Sequence, residues 1–265
     1  MTADQRPPIN APVEVAEGII VVRCPNPGPM TLDGTNTYLL ASPYGTLIVD
    51  PGPADRDHLA VVAAVASRGS VAGIVLTHGH ADHSGGASAL AERVSAPVLA
   101  RHPDYGQPLP RSGDVVADVL TVLDAPGHSA DSVCFAYRQA AASESYLLTG
   151  DTILGRGTTV VAHPDGRLAD YLRTLEELAE HTGLHRPRQL LPGHGPIRDD
   201  PAAVLGFYHR HRLKRLTEIR SVLAAGHRTP AEVVAQVYAD VDRVLWPAAE
   251  LSVRAQLDYL AEQPA

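Results

Sequence analysis

One short stretch constrains this chain more than any other: THGHADHSGG, which begins at Thr77 and directly follows an apolar run. In an extended chain, alternate side chains point to the same side, so His78 and His80 can bind one metal ion together. Asp82 and His83 lie at the turn into a helix, where they offer a carboxylate and an imidazole to a second ion. The pattern predicts a buried strand that ends in a metal-binding loop.

Three later motifs repeat this arrangement of an apolar run, a glycine and a metal-binding side chain. PGHS contains His128, TGDT contains Asp151 and PGHG contains His194. Glycine permits the tight turns found where a strand leaves a sheet. Each motif alone is weak evidence, because a lone histidine is more often structural. Their repetition after strand-like runs indicates a site with enough ligands for two metal ions.

Strand-like and helix-like patterns alternate through the first 200 residues. Strands are expected to begin at Gly18, Asn36, Thr46, Ala72, Pro97, Val116, Ser132 and Ser145, and helices are expected at 54–68, 84–94 and 168–181. Such alternation predicts an α/β domain over residues 1–200.

From Asp199 onward the pattern is helical only. Asp199-Asp200-Pro201 is a helix-start signal, and helices are expected at 201–225, 230–239 and 247–262. A small helical domain is therefore expected over residues 201–265. Its minor core is predicted to contain Leu216, Ile219, Val222, Val234, Val237, Leu251, Leu257 and Leu260.

Charge and cysteine content narrow the class of protein. The chain has 265 residues and a net charge of −8, which argues against a general nucleic-acid binder. The charge is uneven, because residues 201–265 carry 8 basic and 7 acidic side chains. Cys24 and Cys134 lie in apolar runs and are expected to be buried free thiols. No membrane span or secretory signal is recognised, so a cytoplasmic location without a membrane partner is expected.

With these motifs in place, the chain resembles the metallo-β-lactamase-fold hydrolases, whose signature is a His-x-His-x-Asp-His loop followed by a later His, Asp and His. The resemblance implies an αββα sandwich of two mixed sheets, with the ligands on loops along one edge. It also implies two divalent ions, with zinc favoured and iron or manganese as alternatives. His78, His80 and His128 would bind the first ion, Asp82, His83 and His194 would bind the second, and Asp151 would bridge them. Asp50, in IVDPG, matches the first motif of the superfamily and is expected to support the metal loop.

Other motifs indicate the branch of this superfamily. The bridging aspartate, with Cys134 outside every motif, is similar to glyoxalase II and its nucleolytic relatives rather than to typical lactamases. NPGP at 26–29, LDGTNTY at 32–38 and GDTILGRGTT at 150–159 resemble the β-lactamase-like protein 2 group of metal-dependent endoribonucleases. That group carries a C-terminal winged-helix-like domain. Here the chain stops soon after the third helix, so a short or missing β-wing is expected.

These resemblances imply hydrolysis by a hydroxide that bridges the two metals, with Asp82 orienting the nucleophile or passing a proton to the leaving group. Two substrate classes stay open. Single-stranded RNA is one, and a thioester, lactone or other acyl compound is the other, with weak β-lactamase activity compatible with the same centre. Arg156 and Thr158 are candidates for binding an anionic part of the substrate, although an ordinary surface turn explains them equally well.

A basic cluster lies on the first C-terminal helix and comprises Arg210, Arg212, Lys214, Arg215 and Arg220. A solvated helix face is one interpretation of this cluster, and a contact with the RNA backbone is the other. If the cluster lines the metal cleft, RNA is the favoured substrate. The sequence leaves the oligomeric state open.

Overall fold

The computed structural model describes residues 7–139 and 144–263 of the chain. Two mixed β-sheets pack face to face, as predicted. Within the described residues the first sheet has seven strands in chain order: β1 (Val13–Ala16), β2 (Ile19–Arg23), β3 (Asn36–Ser42), β4 (Gly45–Val49), β5 (Val71–Val75), β6 (Val98–Ala100) and β7 (Gln107–Pro108). Pairing is antiparallel from β1 to β4 and parallel from β4 to β7.

The second sheet has six strands in the described chain, in the spatial order β13-β12-β11-β10-β9-β8. Their bounds are β8 (Val115–Val116), β9 (Leu120–Asp124), β10 (Val133–Tyr137), β11 (Tyr146–Gly150), β12 (Gln189–Pro192) and β13 (Arg198–Asp199). Only the β11–β12 pair is parallel among these.

The strands read as continuous apolar runs because both faces of each sheet are covered. In β3, Tyr38 and Leu40 face the core between the two sheets, while Leu39 faces the outer helices. Three helices cover the outer faces: α1 (Arg56–Ala66) and α3 (Ala87–Val94) on the first sheet, and α4 (Leu168–His185) on the second.

The prediction of a single helix at 84–94 is wrong at its start. A one-turn helix, α2 (Ala81–Ser84), comes first, and the chain then breaks at Gly85 and Gly86 before α3 begins. The backbone N–H of Gly86 donates to the carbonyl of Gly52 at 2.8 Å. That approach to the loop after β4 interrupts the helix and leaves no room for a side chain at position 86.

The described C-terminal residues form α5 (Pro201–Ala224), α6 (Pro230–Val237) and α7 (Trp246–Glu262), with a 3-10 turn before α7 and no strand. Their core contains Ile219 and Val234, while Leu216 packs into the core beneath α4 and so connects these helices to the sandwich. Leu251 was predicted to be in this core and is 40% exposed. The prediction is wrong because most buried positions of α7, Ala249, Ser252, Val253 and Gln256, lie on another face of the helix. No helix of the described chain is long and apolar enough to cross a membrane.

Candidate metal centre

The seven predicted ligands all follow strands, and the fold brings them together. His78 and His80 lie in the loop after β5, and His128, Asp151 and His194 lie in the turns after β9, β11 and β12, respectively. The remaining two, Asp82 and His83, lie within α2, so the expectation that all seven occupy loops is corrected for these two.

Three imidazoles converge at one end of the cluster. The Nε2 atom of His78 lies 3.0 Å from Nδ1 of His80, and Nε2 of His128 lies 3.2 Å from the same atom. Neutral imidazoles have one donor and one acceptor nitrogen each, so three nitrogens that point at one space are best satisfied by a shared cation. This trio fits a divalent metal ion.

A second convergence involves Asp82, His83 and His194. The Nε2 atoms of His83 and His194 are 3.1 Å apart, and Oδ2 of Asp82 lies 3.2 Å from Nε2 of His194. Asp151 lies between the two groups: its Oδ1 is 3.4 Å from both of these imidazoles, and its Oδ2 is 3.8 Å from Nε2 of His128. Oδ1 of Asp151 is buried and accepts no hydrogen bond in the described chain. A buried carboxylate oxygen in that state also fits a cation.

The protonation states of Asp151, His78 and His128 suit metal binding. Burial alone would raise the pKa of Asp151, but His194 and His83 outweigh it and hold that pKa well below its ordinary value. Burial, reinforced by His83 and His128, lowers the pKa of His78 well below its ordinary value. The pKa of His128 is lowered as well, again chiefly by burial. An ionised carboxylate and neutral imidazoles are the forms that bind metals.

Asp50 supports the metal loop, the role expected for it. Its carboxylate accepts hydrogen bonds from the backbone N–H of Thr77 at 2.8 Å and from the Thr77 hydroxyl at 2.6 Å. It also lies 2.8 Å from Nδ1 of His83. When Nδ1 donates to a carboxylate, Nε2 is left free to bind a metal. Burial alone would lower the pKa of His83, but Asp151 and Asp50 raise it well above its ordinary value.

Several supporting groups were missed by sequence reasoning. Nδ1 of His194 faces the carbonyl of Gly34 at 3.3 Å, and Nδ1 of His128 faces the carbonyl of Val160 at 2.8 Å. The Thr35 hydroxyl donates to the carbonyl of Asp82 at 2.9 Å, and the Asn26 side chain bonds to both the backbone N–H and the hydroxyl of Thr35. The LDGTNTY motif, which contains Thr35, was the sequence signal for the hydroxyl contact. The carbonyls of Gly34 and Val160 could not be found from the sequence, because every residue type has a backbone carbonyl.

Arg156 and Thr158 lie on the loop that follows Asp151. The guanidinium of Arg156 forms a two-pronged ion pair with Asp33 and is 47% exposed. Thr158 is partly exposed on the same loop. A substrate contact by Arg156 therefore has to compete with Asp33 for the same donors.

Three side chains pack against the glycines that adjoin the histidines of the cluster. The Tyr105 ring and the Asp131 carboxylate lie directly against Gly79, between the first two histidines, and leave no space for a side chain there. Leu32 lies against Gly195, next to the last histidine.

The basic cluster of α5 does not behave as one surface. Arg212 is only 3% exposed, so its assignment to a solvated or RNA-binding face is wrong. Arg215 donates to the carbonyl of Val237 at 2.7 Å and to Glu218 at 2.8 Å, and Lys214 lies 3.7 Å from the same glutamate. The remaining two members, Arg210 and Arg220, are exposed.

A sandwich of two mixed sheets with a His/Asp cluster at the strand ends defines a hydrolase of the metallo-β-lactamase fold. Residues 30–120 match the family model described as the metallo-beta-lactamase superfamily, and residues 229–263 match the beta-lactamase associated winged helix domain. A Caenorhabditis elegans protein named beta-lactamase-like protein 2 homolog is 33% identical over 231 residues, covering 81% of this chain and 74% of the relative. The chain belongs to the metallo-β-lactamase superfamily.

Other similarities extend over most of the chain. An Aspergillus chevalieri protein named atrochrysone carboxyl ACP thioesterase is 30% identical, over 89% of this chain and 78% of that protein. A crystal structure of a beta-lactamase domain protein from Burkholderia ambifaria has a TM-score of 0.80 at 22% identity, covering 98% of this chain and 90% of the other. A structure solved in a di-iron-bound form has a TM-score of 0.51 at 25% identity, over 69% of this chain and 95% of that chain.

Proposed function

We propose that the protein is a dinuclear metal-dependent hydrolase that cleaves thioesters or closely related acyl compounds. The observation that carries the proposal is the convergence of five imidazoles and the Asp82 carboxylate into two adjoining groups of three donor atoms, each group within 4.8 Å. Asp151 lies between these groups and has an oxygen that no hydrogen bond satisfies.

In this proposal His78, His80 and His128 would hold the first ion, Asp82, His83 and His194 would hold the second, and Asp151 would be shared by both. Imidazole and carboxylate ligands favour zinc, and they are also compatible with iron or manganese. The similar structure in a di-iron-bound form supports two ions. Two bound ions would supply a hydroxide nucleophile at neutral pH and polarise the reacting oxygen of the substrate.

Asp82 is the proposed catalytic side chain. Burial alone would raise its pKa, but the hydrogen bond from His194 and the charge of His83 lower that pKa below its ordinary value. The carboxylate is thus ionised at neutral pH, and its side chain is 29% exposed, which makes it accessible from the cleft. It can accept a hydrogen bond from an attacking water and hold that water in place.

The side chains near the ligands favour an acyl substrate over a polyanion. Tyr105, Asp131 and Leu32 present an aromatic ring, a carboxylate and an aliphatic chain next to the ligands. Arg156 is neutralised by Asp33. RNA binding needs free cations along the backbone path. The thioesterase name of one relative points to the same substrate class.

Single-stranded RNA is the second candidate because α5 exposes both cations and an aromatic ring. Arg210 and Arg220 are exposed, and Phe207 on the same helix is 46% exposed. Aromatic stacking combined with positive charge is a common way to bind single strands.

A substrate panel separates these candidates: an acyl-CoA thioester, a lactone, a cephalosporin and a fluorescent single-stranded RNA, each with and without chelator. We expect chelator-sensitive thioester hydrolysis that recovers when zinc, manganese or iron is restored. The double variant Arg210→Glu with Arg220→Glu is expected to hydrolyse the thioester at the wild-type rate. Chelator-sensitive RNA cleavage that this variant loses, without thioester turnover in the wild type, would establish the nuclease instead. No chelator-sensitive turnover of any of these substrates would contradict both.

A further inference from the structure

Arg212 stands out as a buried cation that lacks a charged partner. It lies on α5 between exposed Arg210 and exposed Lys214 but is only 3% exposed. Within the described chain no carboxylate forms an ion pair with it, and its Nε atom has no hydrogen-bond partner. Burying an incompletely satisfied guanidinium opposes folding. Its position therefore calls for an explanation beyond the stability of the helix.

The principal contact of this guanidinium is a backbone carbonyl in the loop after Asp151. Nη2 of Arg212 donates to the carbonyl oxygen of Thr159 at 2.5 Å. The next carbonyl along the chain, that of Val160, lies 2.8 Å from Nδ1 of His128. Arg212 and His128 thus bind consecutive carbonyls of one segment. These carbonyls belong to successive peptide units that only the φ and ψ of Val160 separate, so a displacement of the first is expected to shift the second.

Few other hydrogen bonds hold that segment, and Val161 at its end is buried in the core beneath α4. Residues 156–161 belong to no helix or strand, and in the described chain they form no backbone–backbone hydrogen bond. The Arg156–Asp33 ion pair anchors its first residue, and the Thr159 hydroxyl lies 3.3 Å from Nδ1 of His128. Arg212 on one side and the buried Val161 on the other accordingly determine where the Val160 carbonyl lies.

The beginning of the same loop is held by two tyrosines from α4 and α5. The Tyr171 hydroxyl donates to the carbonyl of Thr152 at 2.7 Å, and the backbone N–H of Leu154 donates to the Tyr208 hydroxyl at 2.9 Å. The guanidinium of Arg212 lies 4.9 Å from the centre of the Tyr171 ring, which connects the two ends of the loop.

We propose that Arg212 is a positioning residue that sets His128 for metal binding through the Thr159–Val160 peptide. The inference rests on the proposed metal centre. Donation of the Nδ1 hydrogen of His128 to a fixed carbonyl selects the tautomer whose Nε2 faces the other ligands. A side chain of the C-terminal helices thereby controls the affinity of a site in the sandwich.

The test compares Arg212→Met with the exposed control Arg210→Met, which removes the same charge from the same helix. Methionine retains much of the apolar stem and removes an unpaired buried charge, so the metal-free fold is expected to persist. For Arg212→Met we expect about tenfold weaker binding of one of two ions, measured by competition with a chromophoric chelator. The absorption bands of the cobalt-loaded protein should shift as well. Arg210→Met should match the wild type in both measurements.

Arg212→Lys serves as the conservative variant, because it keeps the charge but loses the planar fork. We expect its metal affinity and cobalt spectrum to lie between those of the wild type and Arg212→Met. If Arg212→Met does not fold, Arg212→Lys carries the same test, with weaker binding of one ion as the supporting result. Wild-type affinities and spectra in the folded variants would overturn the positioning role, even if their unfolding midpoints fall. A wild type that binds no metal would overturn the proposed function and this inference with it.

Discussion

Asp50→Asn is the sharpest test of how the metal loop is supported, because it changes charge and hydrogen bonding but little else. Asp50 is 2% exposed and has a φ of 50°, a left-handed conformation that asparagine adopts readily. Asparagine also has nearly the same shape. The substitution therefore adds neither backbone strain nor a cavity, and any loss comes from the three donors that face the carboxylate.

The geometry gives the size of the effect. Oδ1 of Asp50 accepts from the backbone N–H of Thr77, while Oδ2 accepts from the Thr77 hydroxyl and faces Nδ1 of His83. The asparagine amide has two orientations. In the one that keeps more bonds, its oxygen still accepts from the Thr77 hydroxyl and from His83, and its NH2 group points at the backbone N–H of Thr77. One unsatisfied buried donor costs about 1–3 kcal/mol, and two charged bonds that become neutral lose about 1 kcal/mol each. We expect the metal-free protein to lose about 3–5 kcal/mol of unfolding free energy.

Metal affinity should fall as well, because Asp50 orients His83. Loss of such a supporting group typically weakens metal binding by about 10–100-fold. Urea unfolding in chelator measures the first effect, and chelator competition measures the second. Asp57→Asn, an exposed acid in the first turn of α1, is the matched control and should change neither. If the unfolding free energy of Asp50→Asn stays within about 1 kcal/mol of the wild type and its metal affinity within about twofold, the supporting role is refuted.

Three further predictions follow from the same structure. Burial raises the pKa of Cys24 and Cys134 to about 12, so Ellman's reagent at pH 8 should detect neither thiol in the native protein and both after denaturation. Burial, partly opposed by Asp55, lowers the pKa of His58 to about 4. As the pH falls, His58 is therefore protonated near pH 6.5 in the unfolded chain but only near pH 4 in the folded chain. The free energy of unfolding should be highest above pH 6.5 and should fall by about 3 kcal/mol as the pH drops from 6.5 to 4. His58→Gln should remove this part of the pH dependence of stability. Asp151→Ala should lower the bound metal from two ions to one and reduce kcat/KM by at least about 100-fold, whereas unchanged stoichiometry would contradict a bridging role.

Local patterns predicted much of the architecture. The strands from Gly18 to Ser145 are apolar runs bounded by turn residues, and their continuous hydrophobicity reflects a sheet covered on both sides. The positions of the seven candidate ligands were also readable. Side-chain alternation and glycine turns at strand ends are local properties, and such ends meet at one edge of a sandwich. The start of the helix near Ser84 was misjudged because a distant contact, between Gly86 and Gly52, interrupts it.

The sequence by itself determined which residue types follow each strand, and hence the composition of the His/Asp cluster. Only the tertiary structure decided which side of a helix is inside. Arg210 and Arg212 are the same residue type, yet Arg210 is exposed and Arg212 is buried against the loop that follows Asp151, because neighbouring elements select the buried face of α5. Likewise, His128 and His194 are oriented by the carbonyls of Val160 and Gly34. Every residue carries such a carbonyl, so only the folded path of the backbone brings the right one to each imidazole.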